Sequence, residues 1–389
     1  MQATADDLPL PPGIRSRRLP GINGLDMHVL EAGFEDPARP CVLLLHGFPE
    51  LAYSWRKQLL PLAQAGYHVV APDLRGYGRT TGWDDRYDGD VASFRFLNLV
   101  RDVLGLVAAL GRRSVQALVG HDFGSPLAGW CAVARPDVFR SVVLMSAPFG
   151  GPAALALGES TQPLTPGAAV RADVARLDGQ LAALQPPRRH YQHYYSLPQA
   201  DADMRHCAQG IHAFLRAYYH HKSADWAGNQ PFELASPHGA ELGRMPTYYV
   251  MHRDADMAAT VAAHQPDARQ IAACAWLPDH ELRVYSSEYA RTGFQGGLQW
   301  YRCGTLGLQA AELQVFAGRT IDVPSLFIAG ASDWGVRQRP GELQRMASQG
   351  CARFQGISLI EGAGHWVQQE QPEAVNARLL AFLEQNAPA

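Results

Sequence analysis

The apolar run Val115-Gln116-Ala117-Leu118-Val119 passes without a break into Gly120-His121-Asp122-Phe123-Gly124, and a helical pattern follows over 125–134. A strand that turns straight into a helix belongs to a strand–helix unit, and repeated units of that kind build a parallel sheet covered by helices. The G-x-D-x-G spacing narrows this further. Glycine on either side of one residue permits a strained turn that lifts its side chain above the sheet edge, with the first helix amides aimed at it. Serine is common at such an apex; here the position holds Asp122.

A carboxylate changes the chemistry open to that turn. A serine that opened a saturated carbon would be left as an ether, which water does not readily cleave. An aspartate would be left as an ester, and attack of activated water on its carboxyl carbon would return the free carboxylate. The expected target is an electrophilic sp3 carbon. Asp is also among the best helix N-caps, so the turn taken alone keeps an ordinary cap as its alternative.

A two-step reaction needs partners, and they follow along the chain. Ala329-Gly330-Ala331-Ser332-Asp333 and Gly362-Ala363-Gly364-His365-Trp366 each follow a predicted strand, giving the order nucleophile, acid, histidine. His365 would take a proton from water, while Asp333 would fix the imidazole tautomer and stabilise the imidazolium. A histidine in a glycine-rich loop or an aspartate ahead of a helix is ordinary by itself; order and context together point to a triad. The oxyanion donors should be backbone amides aimed in advance. Phe123 N–H directly follows the apex, and Phe48 N–H lies in the loop His46-Gly47-Phe48-Pro49-Glu50.

The rest of the chain fits an α/β architecture. The runs 41–45, 67–71, 115–119 and 141–145 read as buried parallel strands, with helical patterns at 54–65, 95–111 and 125–134 between them. Strands return at 324–329 and 357–360, with a closing helix over Pro372 to Glu384. Between these halves the pattern turns helical and rich in tyrosine. The expected organisation is a core over 1–149, an inserted, mainly helical lid over 150–319 that roofs the turn, and the core resumed over 320–389. The Ala/Gly/Pro/Leu stretch from Gly150 to Ala169 reads as a linker or mobile loop.

Composition removes several classes of function. A formal net charge of -3 and no basic tract argue against a nucleic-acid partner. Six cysteines scattered without C-x-x-C spacing fit reduced thiols in a cytoplasmic protein rather than a zinc site or disulfide framework. The acidic start Met1 to Asp7 does not read as a signal peptide, and no run approaches the roughly 20 apolar residues of a membrane span, so no membrane anchor is expected. His220-His221, and His190 with His193, lack a zinc pattern, and Gly76-Tyr77-Gly78-Arg79-Thr80 lacks a phosphate-loop lysine. No metal and no cofactor are expected.

The motifs match a known family. The chain resembles α/β-hydrolase-fold epoxide hydrolases of the soluble type after about residue 20, on His46-Gly47-Phe48-Pro49-Glu50, Asp73-Leu74-Arg75-Gly76-Tyr77-Gly78, Gly120-His121-Asp122-Phe123-Gly124, Gly293-Phe294-Gln295-Gly296-Gly297-Leu298-Gln299-Trp300-Tyr301-Arg302 and Gly364-His365-Trp366. The resemblance implies the α/β-hydrolase fold with its mostly parallel sheet and cap, a small apolar epoxide and water as partners, a vicinal diol as product and a role in detoxification. It also implies two lid tyrosines that hold and protonate the epoxide oxygen, placed on Tyr301 and Tyr191; Tyr194 and Tyr195 lie near enough in sequence to stand as alternatives to Tyr191. A phenol of ordinary pKa, about 10, is protonated at neutral pH and suits this role. Haloalkane dehalogenases resemble the core as well, but their halide-holding tryptophan after the nucleophile is Phe123 here, which has no N–H to donate. Trp55, Trp130, Trp300, Trp334 and Trp366 keep a halide contact open, and a non-catalytic receptor of the same fold is the reading from another class. A homo-oligomer is compatible with the sequence.

Overall fold

The computed structural model describes residues 8–154 and 165–387. Ten strands occur among them: β1 (Ile14–Ile22), β2 (Leu25–Ala32), β3 (Cys41–Leu45), β4 (His68–Pro72), β5 (Ala117–His121), β6 (Val142–Met145), β7 (Arg188–His190), β8 (Val250–His252), β9 (Ile321–Gly330) and β10 (Cys351–Ile360). Eight of these form one sheet in the order β1-β2-β4-β3-β5-β6-β9-β10, parallel from β4 onward, with β1 and β2 joined antiparallel at one edge. Strands β3 and β5 are buried along their whole length. That is why they read as unbroken apolar runs: helices cover both faces, and no face is left for polar residues.

Register places the loops that matter. Leu45 pairs with Gly120 and His121 with Met145, so the loop after β3 and the turn after β5 emerge side by side at the carboxyl edge. The strand expected at 115–119 starts two residues later, at Ala117. Val115 makes only an isolated bridge with Phe139, because the ladder between β3 and β5 begins at Val42 and Ala117.

The chain between β6 and β9 is mainly helical, as the cap of the fold requires, with helices that include Gly210–Lys222, Asp279–Thr292 and Gln295–Thr305. It also contains the two-stranded pair β7 and β8, which the sequence pattern does not announce. The linker expected over Gly150 to Ala169 lies partly outside the described residues, at 155–164. Its end is helical instead: Pro166–Ala182 forms a helix with Pro at its first turn, capped by the Thr165 side chain accepting from Ala168 N–H.

Candidate active site

Asp122 stands between β5 and the helix Gly124–Ala134 with φ of 51°, a left-handed conformation uncommon outside glycine. The flanking glycines make that turn sterically possible. A Cβ on Gly120 would fall 2.0 Å from Gly124 O, and one on Gly124 would fall 2.3 Å from Leu45 O. No side chain fits at either place. The strain lifts the Asp122 carboxylate to the top of the sheet, 8% exposed.

One carboxylate oxygen, Oδ1, accepts the Phe48 N–H at 2.9 Å. The other, Oδ2, faces His365 Nε2 at 3.3 Å, and His365 Nδ1 lies 3.1 Å from Asp333 Oδ1. The contact between Nε2 and Oδ2 is not aligned as a hydrogen bond, so that nitrogen is buried without one. Asp333 Oδ1 also accepts the Gly335 N–H at 2.6 Å, which fixes the carboxylate behind the imidazole. No bond from Phe123 N–H to the Asp122 carboxylate is present among the described residues. The Phe123 ring instead meets Tyr301 edge-on, with centroids 4.6 Å apart.

Charge follows this geometry. Burial alone would push the Asp122 carboxyl pKa up, but the contact with His365 and its charge, with Lys222 behind them, hold it well below the usual carboxylate range. Burial likewise opposes ionisation of Asp333, and His365 again outweighs it. Both carboxylates stay ionised at neutral pH.

A cavity of about 410 Å³ opens over the turn, and Asp122, Phe123, Tyr191, Trp300, Tyr301 and Gln338 contribute to its wall. Tyr301 comes from the helix Gln295–Thr305 and Tyr191 from the start of the short helix Tyr191–Tyr195. Their rings meet edge-on at 5.8 Å. Burial pushes both phenols well above their ordinary pKa, so both remain protonated. The Tyr191 hydroxyl donates to Gln338 Oε1 at 3.2 Å and accepts from Gln192 Nε2 at 3.1 Å. Tyr194 and Tyr195 are turned elsewhere: the first donates to Asp203 Oδ2 at 2.9 Å, and the second to the Tyr218 hydroxyl at 3.2 Å.

Several neighbours escape a reading of the motifs alone. Glu50 Oε2 lies 2.6 Å from His121 Nδ1 and accepts the Gly47 N–H at 3.1 Å, while His121 Nε2 reaches the His365 carbonyl at 2.7 Å. The loop after β3, the elbow and the histidine loop are thus tied through one buried pair. Glu370 makes a second clamp. Its Oε2 accepts N–H bonds from Ala224 at 2.8 Å and Gly364 at 2.9 Å, and its Oε1 accepts that of Trp366 at 2.9 Å. Cap and core backbone are therefore held by one side chain. Glu50 and His121 sit inside motifs that the sequence displays, so their positions could have suggested a part; Glu370 and Lys222 carry no such signal.

Sheet order, elbow and cap together define the α/β-hydrolase fold, and the sequence profile of that family, described as the alpha/beta hydrolase fold, matches residues 40–233. The chain belongs to the α/β-hydrolase-fold epoxide hydrolases. Epoxide hydrolase A of Mycobacterium tuberculosis is 33% identical to it, over 95% of this chain and 98% of that one. Among solved structures, an epoxide hydrolase from an endophytic Streptomyces aligns with a TM-score of 0.75 at 30% identity, covering 96% of each chain. Potato (Solanum tuberosum) epoxide hydrolase I aligns with a TM-score of 0.71 at 28% identity, covering 96% of this chain and 99% of that one.

Proposed function

We propose that this chain hydrolyses an epoxide to a vicinal diol through an alkyl ester on Asp122. An Asp122 oxygen attacks a ring carbon, the carbon–oxygen bond of the ring breaks, and the alkoxide takes a proton from Tyr301 or Tyr191. Water then adds to the Asp122 carboxyl carbon while His365, steadied by Asp333, takes its proton. Phe48 N–H and Phe123 N–H receive the oxyanion; as it collapses, His365 returns its proton to the leaving diol oxygen, and the proton left on the acid formed at Asp122 restores the tyrosinate, so diol, carboxylate and phenol are all regenerated. The observation that carries this reading is the Asp122 carboxylate itself, held by Phe48 N–H at 2.9 Å, faced by His365 at 3.3 Å, and opening into a cavity that two protonated phenols share.

The test is isotopic. Repeated turnover in heavy-oxygen water is expected to place label in the Asp122 carboxylate, and His365→Gln is expected to hold the ester, read as a mass increase on the protein. An unlabelled Asp122 after many cycles would sink the covalent route. A dehalogenase would need an indole N–H free to meet halide; of the two tryptophans that line the cavity, Trp300 already donates its N–H to Arg75 O at 3.0 Å, which leaves Trp130 as the indole a halide would have to meet, and halide release from a haloalkane panel tests it. The division into 1–149, 150–319 and 320–389 belongs to the same proposal, since the cap has to come from the insertion. Limited proteolysis that cuts first near residues 150 and 319 would support it. No helix among the described residues is long and apolar enough to cross a membrane. All six cysteines are unpaired, which supports a reducing, cytoplasmic location.

A further inference from the structure

The Asp333 carboxylate is held by one oxygen. Its Oδ1 takes both the Gly335 N–H at 2.6 Å and the contact with His365 Nδ1 at 3.1 Å, while its Oδ2 is buried without a hydrogen bond among the described residues. A buried carboxylate oxygen left unmet is costly, and a carboxylate fixed at one oxygen can still turn about its Cβ–Cγ bond. A second orphan lies beside it. The hydroxyl of Tyr249, the residue before β8, is also buried without a partner among the described residues. Gly335 brings the two together: a Cβ placed on it would fall 3.2 Å from Asp333 Oδ2 and 3.2 Å from the Tyr249 hydroxyl oxygen. Both oxygens thus converge on one residue that has no side chain to keep them apart, and that residue lies in the wall of the cavity, from which water can enter. Other hydroxyls nearby are committed. Tyr248 donates to Asn229 Oδ1 at 2.5 Å, and the Ser146 hydroxyl reaches the His365 carbonyl at 3.2 Å and His121 Nε2 at 3.1 Å. Burial, with the Asp333 charge beside it, keeps the Tyr249 phenol protonated, so a donor faces an acceptor.

We propose that Tyr249 is a positioning residue for the base, its hydroxyl donating through one water to Asp333 Oδ2 and so locking the plane in which Oδ1 meets His365. This rests on the covalent reading above. Buried waters commonly join polar groups that no protein partner satisfies. The role falls on one half of the reaction. Opening of the epoxide uses the Asp122 carboxylate and the cap phenols, and His365 moves no proton in it. Hydrolysis of the ester turns His365 into an imidazolium, whose charge Asp333 has to meet as water attacks. A carboxylate free to swing meets it less well. Tyr249 exchanges no atom: the water proton goes to His365 Nε2 and on to the leaving diol oxygen.

Tyr249→Phe removes the hydroxyl and keeps both contacts with the acid, the ring 5.1 Å from that of Tyr191 and the carbonyl that accepts the Tyr191 N–H at 2.8 Å. Single turnovers on an aromatic epoxide, quenched and read by intact-protein mass, separate the two steps. The substitution is expected to slow ester hydrolysis about tenfold while ester formation stays within about threefold, so the ester-bearing fraction rises. In an Asp333→Asn background it should add nothing, because it acts through that carboxylate. A high-resolution crystal structure should show one water between the Tyr249 hydroxyl and Asp333 Oδ2. Unchanged hydrolysis in Tyr249→Phe would overturn the proposal. So would both steps slowed alike, the full loss repeated in the Asp333→Asn background, or an Oδ2 bonded to some other group with no such water. In His365→Gln the ester should build up whatever stands at 249; its absence there would count against the covalent reading instead.

Discussion

Tyr301 and Tyr191 face one cavity, but their hydroxyls are held differently. Tyr191 is tied to Gln338 and Gln192, whereas Tyr301 has no hydrogen-bond partner among the described residues. Tyr301 is therefore the freer donor, and Tyr301→Phe should slow ester formation by about 100-fold or more, with Tyr191→Phe costing less. Stopped-flow tryptophan fluorescence on single turnovers would read the two rates; equal losses would show that the bonds of Tyr191 do not restrain it. His221 makes a prediction about stability. It is 0% exposed, both ring nitrogens lack a partner, and burial followed by the nearby His264 holds its pKa down at about 2. An unfolded histidine titrates near about 6.5, so below that pH the unfolded chain binds a proton that the folded chain refuses, and stability falls as pH drops towards 2. His221→Phe keeps a ring against Trp226 and Tyr248 and removes the titration. Its gain in melting temperature should widen between about pH 7 and about pH 5, by differential scanning fluorimetry; a gain flat in pH would refute this account. At this scale Asp122, Asp333 and His365 are legible in the sequence because each follows a strand in chain order. Tyr191 becomes distinguishable from Tyr194 only in three dimensions, where neighbours distant in sequence claim the other hydroxyls.

The clamp made by Glu370 joins elements that the sequence keeps far apart. Three backbone N–H groups share its two oxygens against the burial that pushes its pKa up to about 8, and an amide in its place accepts through its single oxygen. Glu370→Gln should cost about 1–3 kcal/mol in chemical denaturation and lower kcat by loosening the loop that carries His365. Unchanged stability and unchanged kcat would mean the bonds are easily replaced. The parallel strands are readable because burial on both faces makes them uniformly apolar. The hairpin of β1 and β2 is not, since β1 carries Arg15, Arg17 and Arg18 on an edge. In β2 the buried Glu31 breaks the apolar pattern, and its charge is met by Arg15, Arg17 and His68, partners that only the folded sheet supplies. The pair β7 and β8 is too short, at three residues each, to leave any period.

For the molecule as a whole, stability rests on burial and hydrogen bonding with no covalent cross-link, since all six cysteines are free. Reductant should leave the melting temperature unchanged in a thermal scan, and a drop would reveal a disulfide formed in solution. The fold class is legible across the full length because strand and helix patterns alternate at both ends of the chain; the meeting of cap and core is not, because its partners lie far apart in sequence, as Arg56 does from Glu281 and Arg79 from Glu288. The Lys222 carbonyl and the Ala224 N–H belong to the inserted segment, yet they are bonded to the histidine loop and to Glu370. This sets a rule for recombination. A chimera that exchanges caps between relatives at junctions near 150 and 319 inherits residues 222–224 from one parent and 364–370 from the other. Those two stretches should be transferred as a single block, or the hybrid will fold with a cap that fits and a His365 ring turned out of place.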